Sequence, residues 1–521
     1  MSTDPSTPGW FTLGDLLAGH ALTRPDDTAL VCGPDRLSWR ALDRRVDALA
    51  AALADRGAGP GERVLWLGQN CHRLLEALFA AARLGAVLCP VNWRQRPEEL
   101  RFVLEDADPA VVLWQAEEIG DTVAEVRPAT ASGPGQPWVG HDDPCAQGYE
   151  ALVGRRLANG VGRSGRLVDA GEPVLMLYTA AFDGRPNGAL LSHTALLAQS
   201  VTLRLLEGVG ADEVFLNSGP LFHIGTLRRT LAVAHAGGRN VMLRRVAPDE
   251  LCRLVEAERC TSAFLQRPTM EQLVAHNRGG RYDLSSLRTS PGPPGWDDMV
   301  TVVPGPRVRS GYGQTELAGV VTFALPERPT VGGLPGPLAA VEVLDPTGAP
   351  VPAGQTGEIA VRGPMVMNGY HRRPELTAAK RRHGWHHTGD LGRREADGSI
   401  SFVGPLRKMI KSAAENVYPA EVEAALRGHP GVSAAAVIGV PDATWGQRVL
   451  AVVVPAPAVM VPGAAADTLV DALTEHCRAE LAGYRRPRLF ELVDELPTRA
   501  GAVDYDALDA RFGGGGYPGE G

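Results

Sequence analysis

Lysine is the scarcest of the side chains that could do chemistry in this sequence. Of 52 basic residues, only Lys380, Lys408 and Lys411 are lysines and the rest are arginine. A coding bias towards Arg, Ala, Gly and Pro accounts for the depletion, though not for all three lysines falling so close together. A site that needs a compact ammonium point charge is poorly served by a planar guanidinium. The seven cysteines, at 32, 71, 89, 145, 252, 260 and 477, fall singly. With no CxxC pair and no histidines at zinc-ligand spacing, they read as small buried hydrophobes in a reducing compartment. The other chemically capable residues, His223, Glu316 and Asp390, stand in irregular stretches between apolar segments. Singly, such a carboxylate is ordinarily solvated or a helix cap, and such a histidine a satisfied polar residue.

The elements that must position these residues alternate. Residues 36–115 pass from an amphipathic helix pattern to RVLWLG, then HRLLEALFAAARLG, then AVLCPVN. Repeated strand and helix signals predict a sheet covered by helices. Residues 128–172, rich in Pro, Gly and Ser, read as a long surface excursion. PVLMLYTA then leads through an irregular loop into HTALLAQSVTLRLLEGV, a strand–loop–helix unit of the kind that holds ligands in such folds. From 337 the pattern becomes short strands with Asp-Gly and Thr-Gly turns, and past Gly404 it becomes helix, strand, strand, helix, strand. The fold class expected is α/β: a large N-terminal domain of helix-covered sheets over 1–404, with a β-rich subdomain at 337–404, and a small mobile α+β domain over 405–511. The Gly-rich tail 512–521 is expected to be disordered.

Composition excludes several classes. With 521 residues, 44% hydrophobic and 21% charged, the chain can bury several cores and needs no staples. A net charge of −8 gives no general attraction for a phosphate backbone, so no nucleic-acid partner is expected. The longest apolar stretches are about ten residues, against roughly 20 for a membrane span, and the first residues carry no basic start or apolar run. A cytoplasmic protein without membrane contact is expected.

Six segments occur in a fixed order: PLFHIG at 220–225, GYGQTE at 311–316, GEIAVRGPMVMNGY at 357–370, WHHTGDLG at 385–392, ENVYPAEVE at 415–423 and VPDATWGQ at 440–447. Together they make the chain resemble the adenylate-forming superfamily of acyl-CoA and aryl-CoA synthetases, peptide-synthetase adenylation domains and luciferases. The resemblance implies a large part that binds ATP or AMP and a carboxylic acid, a small domain that rotates about a hinge, and transfer of the acyl group to a thiol such as coenzyme A. A carboxylate is a poor acyl donor, and joining it to AMP supplies a leaving group at the cost of bringing two anions together. Cations and preorganised donors must then surround the phosphates. By the resemblance, Glu316 helps hold Mg²⁺, for which a hard oxygen ligand is suited. Thr315 donates to the α-phosphate, Tyr312 lies near the adenine, and Gly313 and Arg407 complete the nucleotide set. Asp390 accepts from both ribose hydroxyls, and His223 stands at the mouth of the acyl pocket. Phe264, Leu265, Leu317, Ala318 and Gly319 are the implied pocket walls for a small acyl or aryl acid.

The pattern breaks where phosphate and thiol would be handled. The family's Y-T-S-G-T-T-G-x-P-K-G loop reads Tyr178-Thr179-Ala180-Ala181-Phe182-Asp183-Gly184-Arg185-Pro186-Asn187-Gly188. Hydroxyl donors are lost, Asp183 adds negative charge, and Asn187 replaces the cation. Ala502 stands where the family's adenylating lysine belongs, Pro405 replaces a hinge arginine, Ala413-Ala414 replaces a glycine pair, and Pro291-Gly292-Pro293-Pro294 replaces a turn with adenine contacts. The expectation is a protein that binds a carboxylic acid, acyl-adenylate or acyl thioester in the interdomain cleft, with ordinary ATP-dependent adenylation impaired or replaced. His223 and Lys408 are the candidates for proton transfer. The alternative is a non-catalytic scaffold that partners another protein of a biosynthetic pathway.

Overall fold

The computed structural model describes residues 11–127, 137–160, 162, 166–179, 186–303, 309–325, 328–406, 409–412, 415–417, 419–456, 465–499 and 502–517. The altered loop residues Ala180 to Arg185, together with Arg407, Lys408, Ala413 and Ala414, lie outside them.

The fold is α/β, with a large N-terminal part and a smaller C-terminal one. Its largest sheet has seven strands, in the order Gly369–Tyr370, Asn187–Ser192, Pro173–Thr179, Val87–Val91, Arg63–Leu67, Val111–Trp114 and Trp138–Gly140. The middle strands are parallel and buried on both faces, so they read as continuous apolar runs. Period-2 alternation still assigns the faces. Val64 and Trp66 join the core under the helices Trp39–Ala54 and His72–Leu84, whereas Leu65 and Leu67 meet Pro97–Ala107 and Ala116–Val126. Local signals agree with the helix ends. Ser38 and Ser192 accept the backbone N–H three residues on, and Gly85 ends His72–Leu84 at φ 69°.

The stretch 128–172 is more than a surface excursion. Trp138–Gly140 adds an edge strand, and Tyr149–Ala158 is a helix whose Tyr149 is fully buried. The Tyr149 hydroxyl donates to Glu76 Oε2 at 2.7 Å, and Arg45 Nε donates to Oε1 at 2.6 Å, so a carboxylate without solvent is satisfied on both oxygens.

A second sheet orders Ser262–Ala263, Val214–Asn217, Arg239–Met242, Thr28–Cys32 and Asp35–Ser38. An antiparallel sheet follows from Ala340–Leu344, Thr356–Arg362, Trp385–Arg394, Arg381–Arg382 and Ile400–Pro405. The C-terminal part is built on the long hairpin Val432–Asp442 with Gly446–Pro455, extended by Leu489–Leu492 and by Ile410–Ser412 with Glu415–Val417, and covered by Pro419–Arg427, Ala465–Glu480 and Tyr505–Phe512. No helix among the described residues is long and apolar enough to cross a membrane.

The expected disorder from 512 onwards is corrected over 513–517. Gly513 and Gly516, at φ 73° and 70°, turn the chain back, and Tyr517 packs into the small domain's core at 3% exposure. Its hydroxyl donates to Asp509 Oδ1 at 2.8 Å and accepts from Gly439 N at 3.0 Å. Tyr517→Phe keeps the ring and orphans that buried N–H, so a loss of about 1–3 kcal/mol is expected in denaturant unfolding of the small domain.

Candidate functional site

The strand ends of the large part and one face of the small domain enclose a cavity of about 810 Å³. One wall of it is built by Gly311–Glu316. A Cβ on Gly313 would collide with Gly319 O and Val320 Cα, so this turn needs a residue without a side chain. Thr315 opens a short 3-10 turn to Leu317, which turns Glu316 inward. Glu316 is buried but lines the cavity, Tyr370 OH donates to its Oε1 at 2.8 Å, and its main-chain carbonyl accepts from Met367 N at 2.8 Å.

Asp390 projects from Trp385–Arg394 into the same space. Its Oδ2 accepts from Tyr312 OH at 2.6 Å and from Gln314 Nε2 at 3.0 Å, and Gln314 Nε2 also reaches Tyr312 OH at 2.9 Å. Burial raises the pKa of Asp390 above the ordinary aspartate range, with the Glu316 charge adding to it. The hydrogen bonds from Tyr312 and Gln314 and the charge of Lys380 only partly offset this. The Tyr312 ring stacks on Phe402, with centroids 5.7 Å apart. Beneath this group Lys380 Nζ donates to Thr388 O at 3.1 Å. Burial lowers its pKa, while the charges of Glu316, Glu358 and Asp390 pull the other way.

These residues fit the groups the resemblance implies. Asp390 offers carboxylate lone pairs at the cavity wall for ribose hydroxyls, and Glu316 offers one hard oxygen donor group. Among the described residues no three acidic, histidine or cysteine side chains cluster as a metal cage. That suits Mg²⁺, which takes one or two carboxylates and completes its shell with phosphate oxygens and water.

At the other end of the cavity, His223 caps the start of Ile224–Ala236 without a side-chain capping bond and exposes its ring to the cavity. Its Nε2 lies 3.6 Å from Glu415 Oε2 of the small domain, and Arg94 Nη1 lies 3.8 Å from Oε1. Burial alone would raise the Glu415 pKa, but His223, Arg94 and Arg485 outweigh it and hold the carboxylate below its ordinary range. Arg485 ties the two parts together, 2.7 Å from Glu99 and 3.3 Å from Glu421. Lys411 also lines the cavity from the small domain, and its side chain is exposed.

The five expected pocket walls separate. Phe264 lines the cavity. Leu265 points the opposite way along the extended chain and packs with the Trp296 core. Leu317 and Ala318 are fully buried in two different cores, and Gly319, at φ 135°, is covered by Arg228 and Gln199. The 3-10 turn followed by Ala318 at φ 52° folds this segment away from the cavity. Asn187 is buried on Asn187–Ser192 opposite Thr179 and does not line the cavity, and Ala502 pairs with Arg499 in the short hairpin of the small domain. Lys411, Glu415, Arg94 and Gln314 were not among the sequence candidates. Lys411 carried one signal, as one of only three lysines.

A family model described as AMP-binding enzyme matches residues 17–371, and one described as AMP-binding enzyme C-terminal domain matches 421–501. The chain is 37% identical over 525 residues to a feruloyl-CoA synthase of Amycolatopsis sp, covering 96% of this chain and 99% of that one. It is 33% identical to an indoleacetate–CoA ligase of Aromatoleum aromaticum, covering 95% and 97%. Among solved structures, the amide bond synthetase McbA of Marinactinospora thermotolerans superposes with a TM-score of 0.77 at 27% identity, covering 96% of this chain and all of that one. The order of motifs, the paired carboxylates facing one cavity and these matches together make the chain a member of the adenylate-forming AMP-binding enzyme family, on its acyl-CoA and aryl-CoA synthetase side.

Proposed function

We propose that the protein takes an aromatic carboxylic acid and the AMP moiety into this cavity and passes the acyl group to a thiol, coenzyme A first among them. One observation carries the reading: Glu316 and Asp390 open onto the same cavity as Phe222, Val246 and Phe264, so a nucleotide and an apolar acid would lie end to end. The names of the two relatives at 37% and 33% identity, a feruloyl-CoA synthase and an indoleacetate–CoA ligase, carry aromatic acids and support that class.

Adenylation from ATP is the half-reaction we propose to be slow. Glu316 offers a site for magnesium, whose charge would counter that of the phosphates. The chain itself has Asn187 and Ala502 where cations are expected, and Asn187 does not line the cavity. Losing one preorganised donor to a developing charge costs about 3–4 kcal/mol, or roughly 10²–10³ in rate.

Two reactions test the reading. Thioester formation from a preformed aroyl adenylate and coenzyme A is expected to exceed AMP release from aryl acid, ATP and coenzyme A by about a hundredfold or more. Equal rates would remove the impairment and leave an ordinary ligase. No thioester from either would end the ligase reading in favour of a scaffold.

A further inference from the structure

The acyl end of the cavity depends on one absent side chain. Gly219 follows Val214–Asn217 and lines the cavity with Phe264 and Thr226. A Cβ built on Gly219 would lie 2.5 Å from Phe264 Cδ1 and 2.9 Å from Cε1, and closer still to Thr226 Oγ1. The Gly219 backbone is not in the left-handed region. The demand for glycine here is therefore steric, imposed by two side chains rather than by a turn.

Neither the main chain nor buried Thr226 can readily step aside. Asn70 Nδ2 donates to Asn217 O at 3.4 Å and to Gly219 O at 2.7 Å, and Asn70 Oδ1 accepts from Leu221 N at 3.0 Å, which pins the main chain on both sides of the glycine. Thr226 is 1% exposed in the first turn of Ile224–Ala236, and its hydroxyl has no hydrogen-bond partner among the described residues. The main chain of Phe264 is stitched to the same strand end, with its N–H donating to Leu216 O at 3.4 Å and its carbonyl accepting from Ser218 Oγ. Only the Phe264 ring has somewhere to go, and that place is the cavity it already lines; the residue is 36% exposed.

We propose that Gly219 is a specificity-determining residue. By leaving room for the Phe264 ring to lie back against the main chain, it keeps a flat apolar wall and an open slot for a planar aryl acid. Any side chain at 219 swings the ring into the slot and leaves space only for short aliphatic acids. This rests on the proposed function, since it assumes that the acyl group occupies this end.

The experiment compares wild type, Gly219→Ala and the double variant Gly219→Ala with Phe264→Ala, using calorimetry with cinnamate, butyrate and AMP. Wild type should bind cinnamate more tightly than butyrate. Gly219→Ala should lose about 10- to 200-fold in cinnamate affinity, the range for one methyl group in a close-fitting pocket, with butyrate and AMP unchanged. The double variant should recover cinnamate. Should Gly219→Ala fail to retain AMP binding, Phe264→Ala alone decides: it should admit 2-naphthoate at least tenfold more tightly than wild type does. Unchanged cinnamate binding in Gly219→Ala, or no gain for 2-naphthoate in Phe264→Ala, overturns the role of Gly219 and leaves the proposed function standing. Wild-type binding of AMP but of no aryl acid overturns both.

Discussion

Asp390→Ala is expected to weaken AMP binding by about two orders of magnitude. A carboxylate that accepts from both ribose hydroxyls makes charge-assisted hydrogen bonds worth about 1.5–3 kcal/mol each, and about 3 kcal/mol of net loss is roughly a hundredfold in Kd. The truncation also releases Tyr312 and Gln314, which now donate to Oδ2, so the ribose wall loses its shape as well as its charge. Asp390→Asn keeps the shape and one acceptor and should cost roughly tenfold. The sign of the pH dependence follows from burial. The ionised form is the one that would accept from ribose hydroxyls, and burial raises the Asp390 pKa. Affinity should therefore be constant at neutral pH and fall as pH is lowered through a value above the ordinary ~4 of aspartate. Adenosine is the suitable probe, because it has no phosphate to titrate. Calorimetry across pH should show this acid limb in wild type and lose it in Asp390→Asn. A limb that persists in Asp390→Asn would assign it to another group and remove Asp390 from the ribose site.

The backbone was more legible in the sequence than the site. Runs such as RVLWLG and HRLLEALFAAARLG announce buried strands and helices because burial on two faces demands continuous apolar residues. The helix Tyr149–Ala158 escaped notice because its flanks are rich in Gly and polar residues, and what fixes it is distant: the hydroxyl of Tyr149 meets Glu76 and Arg45 across the fold. Tyr517 was hidden by its glycines in the same way. Among the residues that line the cavity, Glu316 and Asp390 were legible because each sits within a motif whose order is specific. The acyl wall was not. Phe264 and Leu265 are neighbours on extended chain and must point oppositely, and Leu317 to Gly319 are redirected by a turn whose φ angles a sequence does not display. Glu415 and Lys411 become site residues only when the small domain docks against His223 and Arg94, a long-range event with no local signature.

Lys411→Met is expected to slow acyl transfer from a preformed adenylate by about 10² to 10³, while changing AMP affinity less than tenfold. Among the described residues three cations line the cavity: Arg94, Lys411 and Arg485. Arg485 is committed to Glu99 and Glu421, and Arg94 lies over Trp93 with Glu415 nearby. Lys411 makes no ion pair among the described residues, and its exposed ammonium stands at the cavity's interdomain face. When a thiol attacks an activated acyl group, negative charge grows on the carbonyl oxygen and on the departing phosphate. A cation already in place stabilises both more than it does the neutral carbonyl of the acyl–phosphate anhydride. Asn187, which stands in the place of a family cation, does not line the cavity, so the described residues offer few other cations for this purpose. Lys411→Arg should recover only part of the rate, since a planar guanidinium does not reproduce a compact point charge. Single-turnover measurement of thioester formation separates the step from binding. A rate unchanged in Lys411→Met, with the small domain folded as judged by its unfolding transition, would mean that this cation stabilises neither charge and would remove Lys411 from the transfer step.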